Sequence, residues 1–257
     1  MVEWPALPPG ASWRCTASIA GHVTTSSIPV VLVPGLACSA RVWEPVLDVV
    51  WSRGPVLVAD TRCDDSVEDM ADRLLASAPP RFALVGVSMG GYVNFQVLRQ
   101  APERVLGAVF LSTSARADTV EQVAGRQAQI RSVEMGGFDA LVDAAFPALV
   151  DPSHRRDERL LDFWRSMALT VGPEAFVRQL RACARRPDSR SLLAAISCPA
   201  AVVHGAGDQL IGPGHGAEIA AGIQGALHTV VPGCGHLPTA EAPAAVSQSI
   251  EALLALL

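Results

Sequence analysis

Charge is scarce in this 257-residue chain. Asp, Glu, Lys and Arg make up 18% of it, against 50% hydrophobic residues. That balance excludes a solvated, disordered chain, because enough apolar surface is present to offset the entropy of ordering it. Neither sign dominates: the formal net charge is −5. No basic stripe stands out, so no nucleic-acid partner is expected. The densest basic cluster, Arg178, Arg181, Arg185, Arg186 and Arg190, sits among Asp and apolar residues and reads as a solvated helix face. No apolar run approaches the ~20 residues that span a bilayer, so no membrane partner is expected either. The opening Met1-Val2-Glu3-Trp4-Pro5 lacks the basic start and apolar run of a secretion signal, and the expected compartment is cytoplasmic. Paired cysteines are also missing. Cys15, Cys38, Cys63, Cys183, Cys198 and Cys234 include no Cys-x-x-Cys pair and no Cys/His cluster of zinc spacing. The expectation is free, mostly buried thiols and no bound metal. The chain has no internal repeat and no low-complexity tract.

What is present is a series of short apolar runs closed by turn residues. Pro29 to Val33, Pro55 to Ala59, Arg81 to Val85, Val105 to Leu111, Ala201 to His204 and His228 to Val231 each have the form of a strand buried on both faces. Residues 12–24 offer a weaker pattern for one or two edge strands. Helical patterns separate the runs. Val67, Met70, Ala71, Leu74, Leu75 and Ala78 recur at three- and four-residue spacing, with a capping box expected from Ser66 and Asp69 and a stop at Pro79-Pro80. Met89 to Gln100 reads as a helix, and a last helix starts near Pro243, whose missing N–H costs nothing in a first turn. Alternating strands and helices predict an α/β fold with a parallel sheet covered on both sides. Residues 116–191 break the alternation. They are helical in pattern and carry Phe138, Phe146, Phe163, Trp164, Met167 and Phe176. Their place between two sheet strands predicts a helical cap, 116–191, inserted into a core of 1–115 and 192–257.

Gly86-Val87-Ser88-Met89-Gly90 follows a buried strand and opens a helix. In that context Gly-x-Ser-x-Gly has chemical meaning: a sharp turn lifts the serine hydroxyl above the sheet, and the flanking glycines let strand and helix approach. A hydroxyl is a weak nucleophile near neutral pH and needs a base and oxyanion donors. The Met89 N–H at the helix start is one expected donor. The second is the Leu36 N–H, from the Pro34-Gly35-Leu36 loop after the first buried run.

Of six histidines, His236 best suits the base. It lies in Pro232-Gly233-Cys234-Gly235-His236, after the last strand, where open α/β sheets place ligands. His22 falls in the edge region, His154 beside Arg155 and Arg156 reads as exposed, His204 as a core or turn residue, His215 as a helix opener and His228 as a strand start. A histidine base works best with a carboxylate fixing its tautomer. Asp208, on the turn Gly205-Ala206-Gly207-Asp208, is the expected acid, with Asp118 in reserve. Asp60 reads as a structural pairing.

These residues give the chain its resemblance to the α/β-hydrolases, specifically the small-cap, cofactor-free branch that holds esterases, lactonases and carbon–carbon bond hydrolases. Pro34-Gly35-Leu36, Gly86 to Gly91, Gly205 to Asp208 and Gly233 to His236 carry it, over a span from Val30 to Leu257, and the order Ser88, Asp208, His236 is that family's order. The resemblance implies a mostly parallel, eight-stranded sheet with a helical cap, no cofactor, and acyl-enzyme chemistry on Ser88. The substrate so implied is a small-molecule carboxylic ester or lactone with a small to medium acyl group. Amide or carbon–carbon bond cleavage by the same residues is the alternative within enzymes. A non-catalytic ligand-binding member is the alternative outside them, and the full set of Ser88, Asp208 and His236 argues against it. Pro34 departs from the His-Gly of many relatives, which leaves the bracing of that loop open. Ser rather than Asp at position 88 argues against dehalogenase and epoxide-hydrolase chemistry.

Overall fold

Each apolar run between Val30 and Val231 forms a strand, but only the four inner ones are buried on both faces as expected; the run at 56–58 is half-buried and the run at 227–231 is exposed up to Val230, because these two lie at the edges of the sheet. The computed structural model describes residues 27–257. Its strands are β1 (Val30–Val33), β2 (Val56–Val58), β3 (Phe82–Val87), β4 (Val105–Leu111), β5 (Ala200–Gly205) and β6 (Leu227–Val231). They form one sheet in the order β2-β1-β3-β4-β5-β6, and every neighbouring pair is parallel. The described residues therefore hold six strands where eight are expected from the family resemblance. The six apolar runs account for all of them, and no further run of that kind follows Val30. The edge strands expected within 12–24 lie outside the described residues.

Successive strand residues feed two separate apolar layers. Val30 and Leu32 enter one with Ala83, Val85, Val109 and Val203. Val31 and Val33 enter the other with Phe82, Leu84, Phe110 and Val202. The helices are α1 (Leu47–Trp51), α2 (Val67–Ser77), α3 (Met89–Gln100), α4 (Val120–Glu134), α5 (Phe138–Leu149), α6 (Glu158–Arg185), α7 (Gly214–Gly222), α8 (Pro238–Glu241) and α9 (Pro243–Leu254). Met70 and Leu74 of α2, Val93 and Val97 of α3 and Ile219 of α7 close the second layer. Val246, Ile250 and Leu253 of α9 close the first. At the start of α2 the Ser66 side chain accepts the Asp69 N–H at 3.0 Å, but the Asp69 carboxylate takes the Ser66 hydroxyl at 2.7 Å. A short Asp side chain reaches the cap hydroxyl here, so the expected box is one-sided.

Between β4 and β5 the chain forms α4, α5 and α6 and no strand. α6 is broken at Gly172 (φ 77), directly before Pro173, so it runs as two arms. Its aromatic residues pack inward. Trp164 donates its indole N–H to the Val142 carbonyl at 2.8 Å, and the Phe138 and Phe176 rings meet edge to face with centroids 5.5 Å apart.

The topology also places the site. From β1 the chain turns outward to β2 and then crosses to β3 on the other side of β1. Loops leaving the carboxyl ends of β1 and β3 therefore diverge and open a crevice. Val33, the last residue of β1, is in register with Gly86, so the Pro34-Gly35-Leu36 loop lies beside the Ser88 turn.

Candidate active site

Ser88 has φ 53 and ψ −114, a conformation that costs a non-glycine residue about 1–3 kcal/mol. The surroundings hold it there. Its N–H donates to the Leu111 carbonyl at 2.8 Å, and its own carbonyl accepts the Thr113 hydroxyl at 2.7 Å. Only glycine fits on either side: a Cβ on Gly86 would lie 2.6 Å from the Gly90 backbone, and one on Gly90 would strike the Val33 carbonyl. The result is a hydroxyl at the amino end of α3, where the helix dipole favours negative charge.

His236 arrives from the loop after β6. Its Nε2 lies 2.8 Å from Ser88 Oγ and its Nδ1 2.7 Å from Asp208 Oδ2. With Nδ1–H donating to Asp208, Nε2 is left to accept the serine proton. Asp208 is fixed in turn, its Oδ1 accepting the N–H groups of Leu210 and Ile211 at 2.9 Å each. Burial pushes the Asp208 carboxyl up, but the His236 charge and the hydrogen bonds from His204, His236 and Ile211 outweigh it and hold it well below the usual carboxylate range. The structure thus brings Ser88, His236 and Asp208 into one hydrogen-bonded line, with both His236 and Asp208 buried.

The two residues expected to give oxyanion donors lie beside Ser88, one along the cavity wall and one next in the chain. Leu36 and Ser88 line one cavity, and Met89 follows Ser88 at the start of α3. Neither the Leu36 nor the Met89 N–H is engaged in a hydrogen bond among the described residues. The cavity has a volume of about 210 Å³ and includes His236 in its wall. Leu141 and Val142 of α5 and Trp164 and Phe176 of α6 make its far side apolar. Cys38 also lines it, with its thiol pushed up to about 12 by burial, against a weaker opposing effect of its hydrogen bond to Gly35.

Asp118 is not placed to serve His236. Its carboxylate is engaged by Arg126 and Arg186. This also corrects the expectation of a solvated basic face for Arg186, which is buried because it answers that carboxylate. Arg181 and Arg185 do lie on the surface, paired with Glu134 and Asp65. Asp60 pairs with Arg62 at 2.8 Å.

Four side chains around the site carry no motif in the sequence. Gln179 of α6 accepts the Ala37 N–H at 2.9 Å and so braces the loop after β1. His204, fully buried, places Nε2 2.6 Å from the Ile211 carbonyl and 3.3 Å from Asp208 Oδ2. Glu241 of α8 accepts the N–H groups of Gly235 at 3.0 Å and Leu237 at 3.2 Å, on either side of His236. His154, expected to be exposed, is half-buried with Nδ1 3.0 Å from Glu241 Oε2, drawn in by that buried carboxylate. The only sequence signal for Glu241 is its position on the short turn that follows the His236 loop.

Among the described residues no helix is long and apolar enough to cross a membrane, and no group of three or more His, Cys, Asp or Glu is placed to hold a metal ion.

The Alpha/beta hydrolase family model matches residues 30–249. A pimeloyl-[acyl-carrier protein] methyl ester esterase of Yersinia enterocolitica is 27% identical over 245 residues, covering 86% of this chain and 90% of its own. A putative carbamate hydrolase of Klebsiella pneumoniae is 29% identical over 189 residues, covering 71% of this chain and 69% of its own. Among solved structures, a thermophilic esterase from Thermogutta terrifontis superposes with a TM-score of 0.81 at 29% identity, covering 89% of this chain and 90% of that one.

Proposed function

Because the chain belongs to the α/β-hydrolase family, we propose that it is a serine hydrolase that cleaves a carboxylic ester or lactone through an acyl-enzyme on Ser88. The observation that carries this reading is the line from Ser88 Oγ through His236 to Asp208, beside the Leu36 and Met89 N–H groups, which have no partner among the described residues. His236 Nε2 takes the Ser88 proton as Oγ attacks the ester carbonyl. The developing oxyanion is held by Leu36 and Met89 N–H. His236 then passes its proton to the leaving alcohol. Water repeats the sequence against the acyl-enzyme and releases the acid and Ser88. Asp208, kept ionised, stabilises the imidazolium that exists between these transfers.

The relatives named as esterases support an ester over an amide. The apolar wall and modest cavity volume support a small to medium acyl group. Residues 116–191 act as the cap that roofs it, on a core formed by 1–115 and 192–257. The test is a panel of esters, lactones, amides and diketones with the wild type and Ser88→Ala. p-Nitrophenyl butyrate is expected to give a burst of nitrophenol with the wild type and none with the variant. Wild-type turnover by Ser88→Ala would overturn the nucleophile, and faster amide or diketone cleavage would overturn the bond class.

A further inference from the structure

One polar corner interrupts the apolar wall above Ser88. Arg126 and Gln129, three residues apart on α4 and hence on one face of it, both line the cavity. Arg126 gives its Nε and Nη2 protons to Asp118, whose carboxylate is fully buried. Arg186 engages the same carboxylate. Two guanidiniums against one carboxylate leave one positive charge in the cluster.

The two arginines are not equivalent. Arg186 is spent inside the protein. Its Nε donates to the Arg116 carbonyl and its Nη1 also to the Cys183 carbonyl, both at 2.9 Å, and its guanidinium lies 4.1 Å from the centre of the Tyr92 ring. That single arginine already ties Asp118, just before α4, to the end of α6. Arg126 adds nothing to this staple that Asp118 needs for neutrality. It is the member that reaches the cavity, with 18% of its side chain exposed and an Nη1 group that has no hydrogen-bond partner among the described residues. A surplus charge beside an apolar wall is costly until a counter-charge joins it. A planar guanidinium with free N–H groups suits a carboxylate best.

We propose that Arg126, with Gln129 beside it, forms a carboxylate-binding subsite in the acyl pocket, so that the preferred substrates are esters or lactones whose acyl part carries a carboxylate of its own. This rests on the ester-hydrolase reading of Ser88. The remote ion pair orients the acyl chain, and its binding energy is used to seat the reacting carbonyl between Ser88 Oγ and the Leu36 and Met89 N–H groups.

The experiment compares monomethyl succinate through monomethyl suberate with the corresponding dimethyl esters, which differ in one charge. For the chain length that fits, the monoester is expected to exceed its diester in kcat/KM by about tenfold or more. Arg126→Gln is expected to lower that ratio by about 100-fold, the size expected for a desolvated charge pair, and Arg126→Lys to restore part of it. The wild-type ratio needs no variant, so it decides even where Arg126→Gln lowers the melting temperature. A wild type that prefers the diester at every length overturns the subsite, as does a monoester preference that survives Arg126→Gln in a folded protein. Calorimetry of monomethyl adipate on Ser88→Ala separates this from the hydrolase reading. Binding that weakens on adding Arg126→Gln supports the subsite even if no ester is turned over, whereas Ser88-dependent turnover of diesters without Arg126-dependent binding overturns the subsite alone.

Discussion

Gln179 holds Ala37 in place: its side-chain carbonyl accepts the Ala37 N–H at 2.9 Å, while its amide donates to the Thr61 carbonyl and hydroxyl at 3.3 and 3.2 Å. Ala37 has φ 56, a left-handed conformation that a side-chain-bearing residue keeps only under constraint. The loop that offers the Leu36 N–H is thus set by a residue of α6, 142 positions away in the chain.

Gln179→Leu tests that coupling. The apolar side chain, one heavy atom smaller, leaves the buried Ala37 N–H unpaired, which costs about 1–3 kcal/mol. Loosening one oxyanion donor is expected to reduce kcat by about tenfold, less than the ~10²–10³ seen when such a donor is removed outright. KM should change little. A stability loss with kcat intact would limit Gln179 to packing.

Asp208→Asn should lower kcat by about 10⁴, because the amide favours the wrong His236 tautomer. The same variant reports on pH. The folded carboxyl lies below the ordinary aspartate value of 3.8, so as pH falls the unfolded chain takes up a proton first. The stability that Asp208 contributes is full above 3.8 and is lost as pH falls through the folded value. Urea melts of wild type and variant should therefore differ most near neutral pH and converge in acid. A gap that widens in acid would contradict the assigned environment.

Glu241→Ala removes one buried acceptor from the N–H groups of Gly235, Leu237 and Asp151 and from His154. Breaking such a buried charged network is expected to cost about 3 kcal/mol, or about 6–12 °C in melting temperature for a domain of this size. Differential scanning calorimetry checks it. Because two of those N–H groups flank His236, kcat should fall more than KM rises.

Thiol labelling separates burial from reactivity. Among the described residues Cys38, Cys63, Cys183, Cys198 and Cys234 are free. Cys38 and Cys234 are pushed from 9.0 to about 12, Cys38 by burial and Cys234 by burial with the charges of Glu241, Asp208 and Asp151. Both thiols stay protonated at pH 8, so iodoacetamide should modify exposed Cys63 and spare Cys38, with ester turnover retained. The neutral thiols favour the fold below pH 9.0, and that contribution is lost as pH rises toward 12. Rapid inactivation at pH 8, traced to Cys38 by mass spectrometry, would show a thiolate that this burial forbids.

Much of this was legible in the residues themselves. A parallel strand buried on both faces has to be apolar along its whole length, so Val30 to Val33 and Val105 to Leu111 announce themselves. Ser88, Asp208 and His236 each follow such a run on a glycine turn, and the carboxyl edge of one sheet brings them within hydrogen-bond reach. Gln179, Glu241 and His204 were not legible in these roles. A glutamine or glutamate on a helix has the same local signature whether it faces water or a buried backbone N–H. The Arg178 to Arg190 cluster shows the cost of that ambiguity: Arg185 lies on the surface, and its neighbour Arg186 is buried against Asp118.

The sequence by itself determined the strand runs, the turn that strains Ser88 and the chain order of the three polar residues around it, because these depend on neighbours within a few positions. Tertiary structure alone decided which acid meets His236, what braces the loop after β1 and that a surplus arginine, Arg126, faces the Ser88 cavity. Those outcomes depend on partners far apart in sequence, and only the order of the strands and the fold of α4 to α6 bring them to hydrogen-bonding distance.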